Sequence, residues 1–244
     1  MVEVTTPPPG VPRARRRSVP RAPTPPTWIL KTIMAGTGLL FTAFVLAHMV
    51  GNLKVFGGAP GFDAYAAWLR RLLYPLVPPG GVLWVLRGVL AVSLVAHVWC
   101  SLLLVRRSRA SAGPHRRRTG VTASSFGARS MLLTGVAALL FVVVHVLDMT
   151  TGTAPVAPAA FEPGSAYANL VASFSRTWVA AFYVTVMLLL AVHIAHGVRT
   201  AAGDLGVTGE RSRGVITVLG GTVAVAVLLG NAAIPISVQL GWLT

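Results

Sequence analysis

Five of the six histidines lie inside apolar stretches of the chain: His48 in Ala47-His48-Met49, His97 in Ala96-His97-Val98, His145 in Val144-His145-Val146, and His193 with His196 in His193-Ile194-Ala195-His196-Gly197. The sixth, His115, sits in an arginine-rich loop and reads as a solvated residue. An imidazole in an apolar stretch needs a partner for its ring nitrogens, either a hydrogen bond or a metal. One such residue is weak evidence, because a bond to a neighbouring helix satisfies it. Several of them raise the question of a shared ligand, and the answer depends on where the surrounding elements put them.

Those elements are membrane spans. The chain has 244 residues, 54% of them hydrophobic and 11% charged, with a mean hydropathy of +0.71. A soluble domain carries roughly 25% charged residues, so this composition excludes one. Five apolar runs, about 28–50, 81–105, 130–149, 177–198 and 214–240, each reach the ~20 residues that a bilayer crossing needs. The fold class expected is therefore all-α integral membrane, with five transmembrane helices. Residues 1–27 hold eight prolines and five arginines and are expected to be a disordered basic arm, leaving 28–244 as the membrane domain. A cleaved export signal is not expected, because the first apolar run is of full spanning length and leads straight into Gly51-Asn52-Leu53-Lys54.

The excess of 21 Lys and Arg over six acidic residues reads as a topology signal rather than a nucleic-acid footprint. Sixteen of the 21 fall in the arm, at Lys31, and in the loops 106–129 and 199–213, which puts the amino terminus inside and the carboxyl terminus outside. The run Arg116-Arg117-Arg118 reads as an orientation anchor on an anionic leaflet. A single cysteine, Cys100, excludes an internal disulfide and a four-cysteine iron–sulfur cluster. Between the first two spans, Phe62, Tyr65, Leu69 and Leu72 share one face of a short helix expected to lie along the outer interface. Residues 150–165 read as an outer loop, and no strong internal repeat stands out.

Direction and depth then sort the histidines. The first and third spans run outward, and His48 and His145 lie roughly 22–28 Å above the inner boundary at about 1.5 Å per residue. The second and fourth run inward, and His97 and His193 lie about 8–12 Å from the same boundary. Two tiers result, each drawing an imidazole from two different helices. That is what two bis-histidine haems stacked in a four-helix bundle require. Zinc is a poorer match, since no cysteine or carboxylate ligand accompanies the rings. Simple interhelical hydrogen bonding does not call for matched depths on four helices. Gly51, Ser93 and Gly197, each three or four residues from a histidine, are small neighbours that leave space for a flat macrocycle. His193 lies deeper than His196 and is the favoured ligand, while His196, next to Gly197 and Arg199, could instead hydrogen-bond a propionate or a quinone.

Together with Gly51-Asn52-Leu53 and Phe62-Asp63-Ala64-Tyr65-Ala66, these histidine segments resemble the cytochrome b membrane anchor of succinate dehydrogenase or fumarate reductase, in its single-chain, five-helix, dihaem, menaquinone-reactive form. The resemblance covers nearly everything from Trp28 onward. It implies two haem b groups, the outer on His48 and His145 and the inner on His97 and His193. It also implies a bacterial cytoplasmic membrane, a flavoprotein that oxidises succinate, an iron–sulfur subunit that feeds electrons to this anchor, menaquinone as acceptor, and a possible higher oligomer of the complex. This chain itself has no dinucleotide fingerprint and no polar domain, so its part in the enzyme is the quinone-reactive one.

Quinone reduction consumes protons, and Asp148, Asp63 and Tyr65 are the outer-side candidates for handling them. Asp148 can equally be a carboxylate facing water at a helix end, and Asp63 can cap the short interfacial helix. Arg87, Arg129 and Arg199 are candidate partners for haem propionates. The six tryptophans lie mostly at span ends and read as interface anchors. Two other readings compete: the dihaem quinol cytochrome of a nitrate reductase or formate dehydrogenase, which usually uses other helices, and a haem-free anchor or transporter. A transporter would show broken helices at midplane, for which only Gly220-Gly221 and Pro235 give a hint.

Overall fold

The computed structural model describes residues 25–111 and 123–244, without the side chains of 123–129. The expected arm up to residue 24, His115 and Arg116-Arg117-Arg118 lie outside the described residues. All regular structure among the described residues is helical: α1 (Thr27–Asn52), α2 (Ala59–Arg70), α3 (Gly81–Ser111), α4 (Ala123–Val146), α5 (Ala166–Phe174), α6 (Thr177–Asp204) and α7 (Glu210–Gln239). Five of them, α1, α3, α4 with its continuation, α6 and α7, are long and apolar enough to cross a membrane. A bilayer leaves backbone polar groups no partner but the helix itself.

The breaks between helices follow from the local sequence. Pro26 stands at the start of α1 in an extended conformation, as a residue without an N–H should. Past α1 the chain tightens into a 3-10 turn (Leu53–Gly57) and reverses at Gly58, whose φ of 83° suits only glycine. The end of α4 widens into a π-turn (Leu147–Thr151) that stops at left-handed Gly152. A side chain at Gly152 would run into the Phe161 ring.

Three details differ from the sequence expectation. The spans extend further at the basic end, to Ser111 and Asp204, because membrane helices continue past the apolar stretch into their charged flanks. Helix α5 was not foreseen: its nine residues fall short of the length by which a helix is told apart in sequence, and they follow a Pro-rich loop. Pro235 and Gly220-Gly221 do not interrupt the fifth span, since α7 is continuous through both.

Helix α6 is central, packing against α1, α4 and α7, while α3 packs along α1 and touches α2. Among α1, α3, α4 and α6 the packed seams run α3 to α1, α1 to α6 and α6 to α4, which puts α1 opposite α4 and α3 opposite α6 in a bundle whose α3 and α4 share no packed seam. Helix α7 buttresses α6 and α1 from outside that set. Its Gly220 lets Val198 of α6 approach, and a side chain at Gly230 would strike Met49 of α1. At the far end, Val55, Phe62, Phe174, Tyr183, Ile234 and Val238 form the largest buried apolar cluster, which ties α2 and α5 down onto the spans. Phe62 is buried there, and Tyr65, Leu69 and Leu72 are half-buried, as their shared face predicts. All six tryptophans are exposed.

Candidate functional site

The histidines occupy the two diagonals. His48 on α1 and His145 on α4 face one another with ring centroids 5.9 Å apart and planes at 81°. Each leans on a phenylalanine one turn earlier on its own helix: Phe44 stacks on His48 and Phe141 on His145, both at 5.4 Å. A metal ion ~2 Å from one nitrogen of each ring would set two facing imidazoles roughly 6 Å apart, centre to centre. His145 Nδ1 is, among the described residues, the one buried side-chain polar atom with no hydrogen-bond partner. An orphan of this kind in a native core calls for an explanation such as a ligand.

On the other diagonal, His97 of α3 and His193 of α6 are each held by a threonine from the adjacent helix. Thr37 Oγ1 lies 3.0 Å from His97 Nδ1, and Thr134 Oγ1 lies 3.1 Å from His193 Nδ1. The residue after each threonine is a glycine against the same ring: a Cβ at Gly38 would lie 3.3 Å from His97 Cε1, and one at Gly135 would lie 3.3 Å from His193 Cε1. These are the glycines that admit the imidazoles. Of the glycines expected to leave room for a flat macrocycle, Gly51 faces Tyr65, while Gly197 has open space where its Cβ would be.

These contacts expose a repeat that hydropathy alone conceals. Thr37-Gly38, Phe44-Val45 and His48 recur as Thr134-Gly135, Phe141-Val142 and His145, each 97 residues further along. The shared positions are few and are set among interchangeable apolar residues, so only their common contacts single them out.

The expected proton-handling residues have definite structural partners. Asp148 does not face water: it is 1% exposed and accepts from Ser173 Oγ at 2.5 Å, Tyr183 Oη at 2.9 Å and Arg176 Nη2 at 2.8 Å. Arg176 in turn donates through Nη1 to the Val156 carbonyl at 2.7 Å. This cluster joins α4, α5 and α6 at the far end, and Arg176, Ser173 and Tyr183 had no signal in the sequence beyond their residue types. Asp63 caps not its own helix but α5, accepting from the Tyr167 N–H at 2.9 Å. Tyr65 lies against Gly51, one turn beyond His48, and stacks on Trp68 at 5.8 Å.

Among the cations, Arg87 is exposed and lies over Trp84 at 4.9 Å, turned outward rather than toward a histidine. The side chain of Arg129 lies outside the described residues. Arg199 is half-buried at the basic end, where it lines a cleft with His196, Asp204, Thr208 and Arg213. His196 therefore belongs to that cleft, and His193 is the histidine of this segment that a neighbouring helix orients.

A family model described as the succinate dehydrogenase/fumarate reductase transmembrane subunit matches residues 106–229, just over half of the chain. The chain belongs to this family. The match runs from the basic end of α3 through α4, α5 and α6 into α7, and includes His145, His193 and His196, while His48 and His97 precede it. Among curated proteins no match is found. Membership makes the chain a multi-pass membrane subunit of an oxidoreductase complex and implies association with that complex's flavoprotein and iron–sulfur subunits.

Proposed function

We propose that this transmembrane subunit is of the dihaem, menaquinone-reactive type, with His48 and His145 holding one haem b and His97 and His193 the other. The observation that carries the reading is that His48 and His145 face one another at 5.9 Å from α1 and α4, helices that share no packed seam. The orphaned His145 Nδ1 supports it. Bound there, the two groups would relay electrons from the iron–sulfur subunit to menaquinone. His48 with His145, and His97 with His193, would each offer two imidazoles to the iron, a donor set that suits electron transfer rather than oxygen binding.

The remaining residues hold this arrangement in place. Phe44 and Phe141 stack on the rings of His48 and His145. The surplus of cations at the end bearing Lys31, Arg107, Arg199 and Arg213 supports a cytoplasmic position for that end, and so an outward-facing carboxyl terminus in a bacterial cytoplasmic membrane. It is also the end where the iron–sulfur subunit would dock. Menaquinone would then react at the opposite end, near the His48 and His145 pair. Of the ionisable residues there, Tyr65 is placed against the turn that carries His48, whereas Asp63 and Asp148 are held in hydrogen bonds.

Single histidine replacements in the purified complex test the pairing. His48→Ala and His145→Ala should lose one and the same haem, His97→Ala and His193→Ala the other, and His196→Ala should keep both. Loss of the same haem from the His48 and His97 variants would refute the assignment.

A further inference from the structure

We propose that Thr37 and Thr134 are positioning residues that hold His97 and His193 as Nδ1–H imidazoles, presenting Nε2 to the iron of the inner haem. The inference rests on the dihaem reading and adds to it what fixes the tautomer and the donor strength of two of the four ligands.

The hydrogen-bond inventory decides the direction. A threonine hydroxyl has one proton. Thr37 gives its proton to the Ile33 carbonyl at 2.7 Å, with Met34 as a longer second acceptor at 3.2 Å. Thr134 gives its own to the Ser130 carbonyl at 2.9 Å, with Met131 at 3.3 Å. Back-bonding of this kind is the usual fate of a threonine hydroxyl inside a helix. Each oxygen is then left only with lone pairs to offer the histidine, so Nδ1 must be the donor. With the proton fixed on Nδ1, the free lone pair is on Nε2, the form that coordinates a metal.

The same device appears twice, in helices that do not share a seam. In each, the threonine stands eleven residues, and its glycine ten, before that helix's own histidine. Thus α1 carries His48 and orients His97, while α4 carries His145 and orients His193. Among the described residues the outer histidines have no threonine partner, and both are stacked on phenylalanine. An Nδ1–H that donates to an oxygen makes the imidazole a stronger electron donor and stabilises the ferric state. Removing either hydroxyl should raise the midpoint potential of the inner haem and leave that of the outer haem alone.

Redox titration of the purified complex tests this with Thr37→Val, Thr134→Val and the corresponding serine variants, the inner haem being identified as the one missing from His97→Ala. Valine keeps the shape and removes the hydroxyl; serine keeps the hydroxyl. The expected result is two haems in every variant, an upward shift of the inner potential in each valine variant, and a return toward wild type with serine. An unmoved inner potential in both valine variants of a dihaem complex, or a shift confined to the outer haem, overturns the inference and leaves the dihaem reading intact. A wild-type complex without haem overturns both.

Discussion

The Tyr183 hydroxyl donates to Asp148 at 2.9 Å while the ring of the same tyrosine lies edge-on to His145 at 6.1 Å. A buried carboxylate that needs an arginine, a serine and a tyrosine to satisfy it is thereby set directly behind a candidate haem ligand. Taking away one partner of a buried ion pair strands the other and costs about 3–5 kcal/mol. The Arg176 side chain is 24% exposed, which places Asp148→Asn near the lower end, ~3 kcal/mol. We expect this variant to melt well below wild type when the purified complex is heated. Tyr183→Phe, which leaves the charges paired, should cost only about 1–2 kcal/mol. Equal melting of Asp148→Asn and wild type would contradict a structural role for this cluster.

How far that cluster could be read from sequence depends on what each residue meets. The meeting of His48 with His145, at 5.9 Å, was legible because span direction and helical rise bring those two positions to one level. Asp148 was visible as a residue one turn beyond His145, but its burial depends on α5, a helix of only nine residues, and on Arg176, which looks in sequence like any interfacial cation. Asp63 was recognisable as a cap, yet the helix it caps lies about 100 residues away in the chain. The threonine–glycine pairs were hidden for another reason: threonine and glycine are common in membrane helices, and only contact with an imidazole distinguishes these from the rest.

Gly38 and Gly135 offer a steric test of the same contacts. A Cβ at either position would sit 3.3 Å from a histidine Cε1, close enough that the ring must give by a few tenths of an ångström. Alanine should be tolerated, with a perturbed spectrum for one haem. Valine at either position should displace the ring and remove the haem assigned to His97 and His193, without loss of the other. Haem content and reduced-minus-oxidised spectra of the four variants check this. Retention of both haems in Gly38→Val and Gly135→Val would argue against close packing at these sites.

Gly51 gives a prediction about the far end. A Cβ there would lie 2.6 Å from Tyr65 Oη, so Gly51→Ala should push α2 away from α1 and lower stability. Removing the hydroxyl takes away the worst of the overlap. Tyr65→Phe in the Gly51→Ala background should therefore recover part of the loss, a coupling of about 0.5–3 kcal/mol in a double-mutant cycle. Additive effects of the two changes would show that the two residues do not meet.

The central claim is that two imidazole pairs, one on each diagonal of the bundle, each hold a haem. Its most direct measure is the haem stoichiometry of the wild-type complex, read from the pyridine haemochrome and the reduced spectrum against the amount of this chain. Two b-type haems per copy is the predicted result. A complex that assembles with its flavoprotein and iron–sulfur subunits yet holds one haem or none per copy would contradict it.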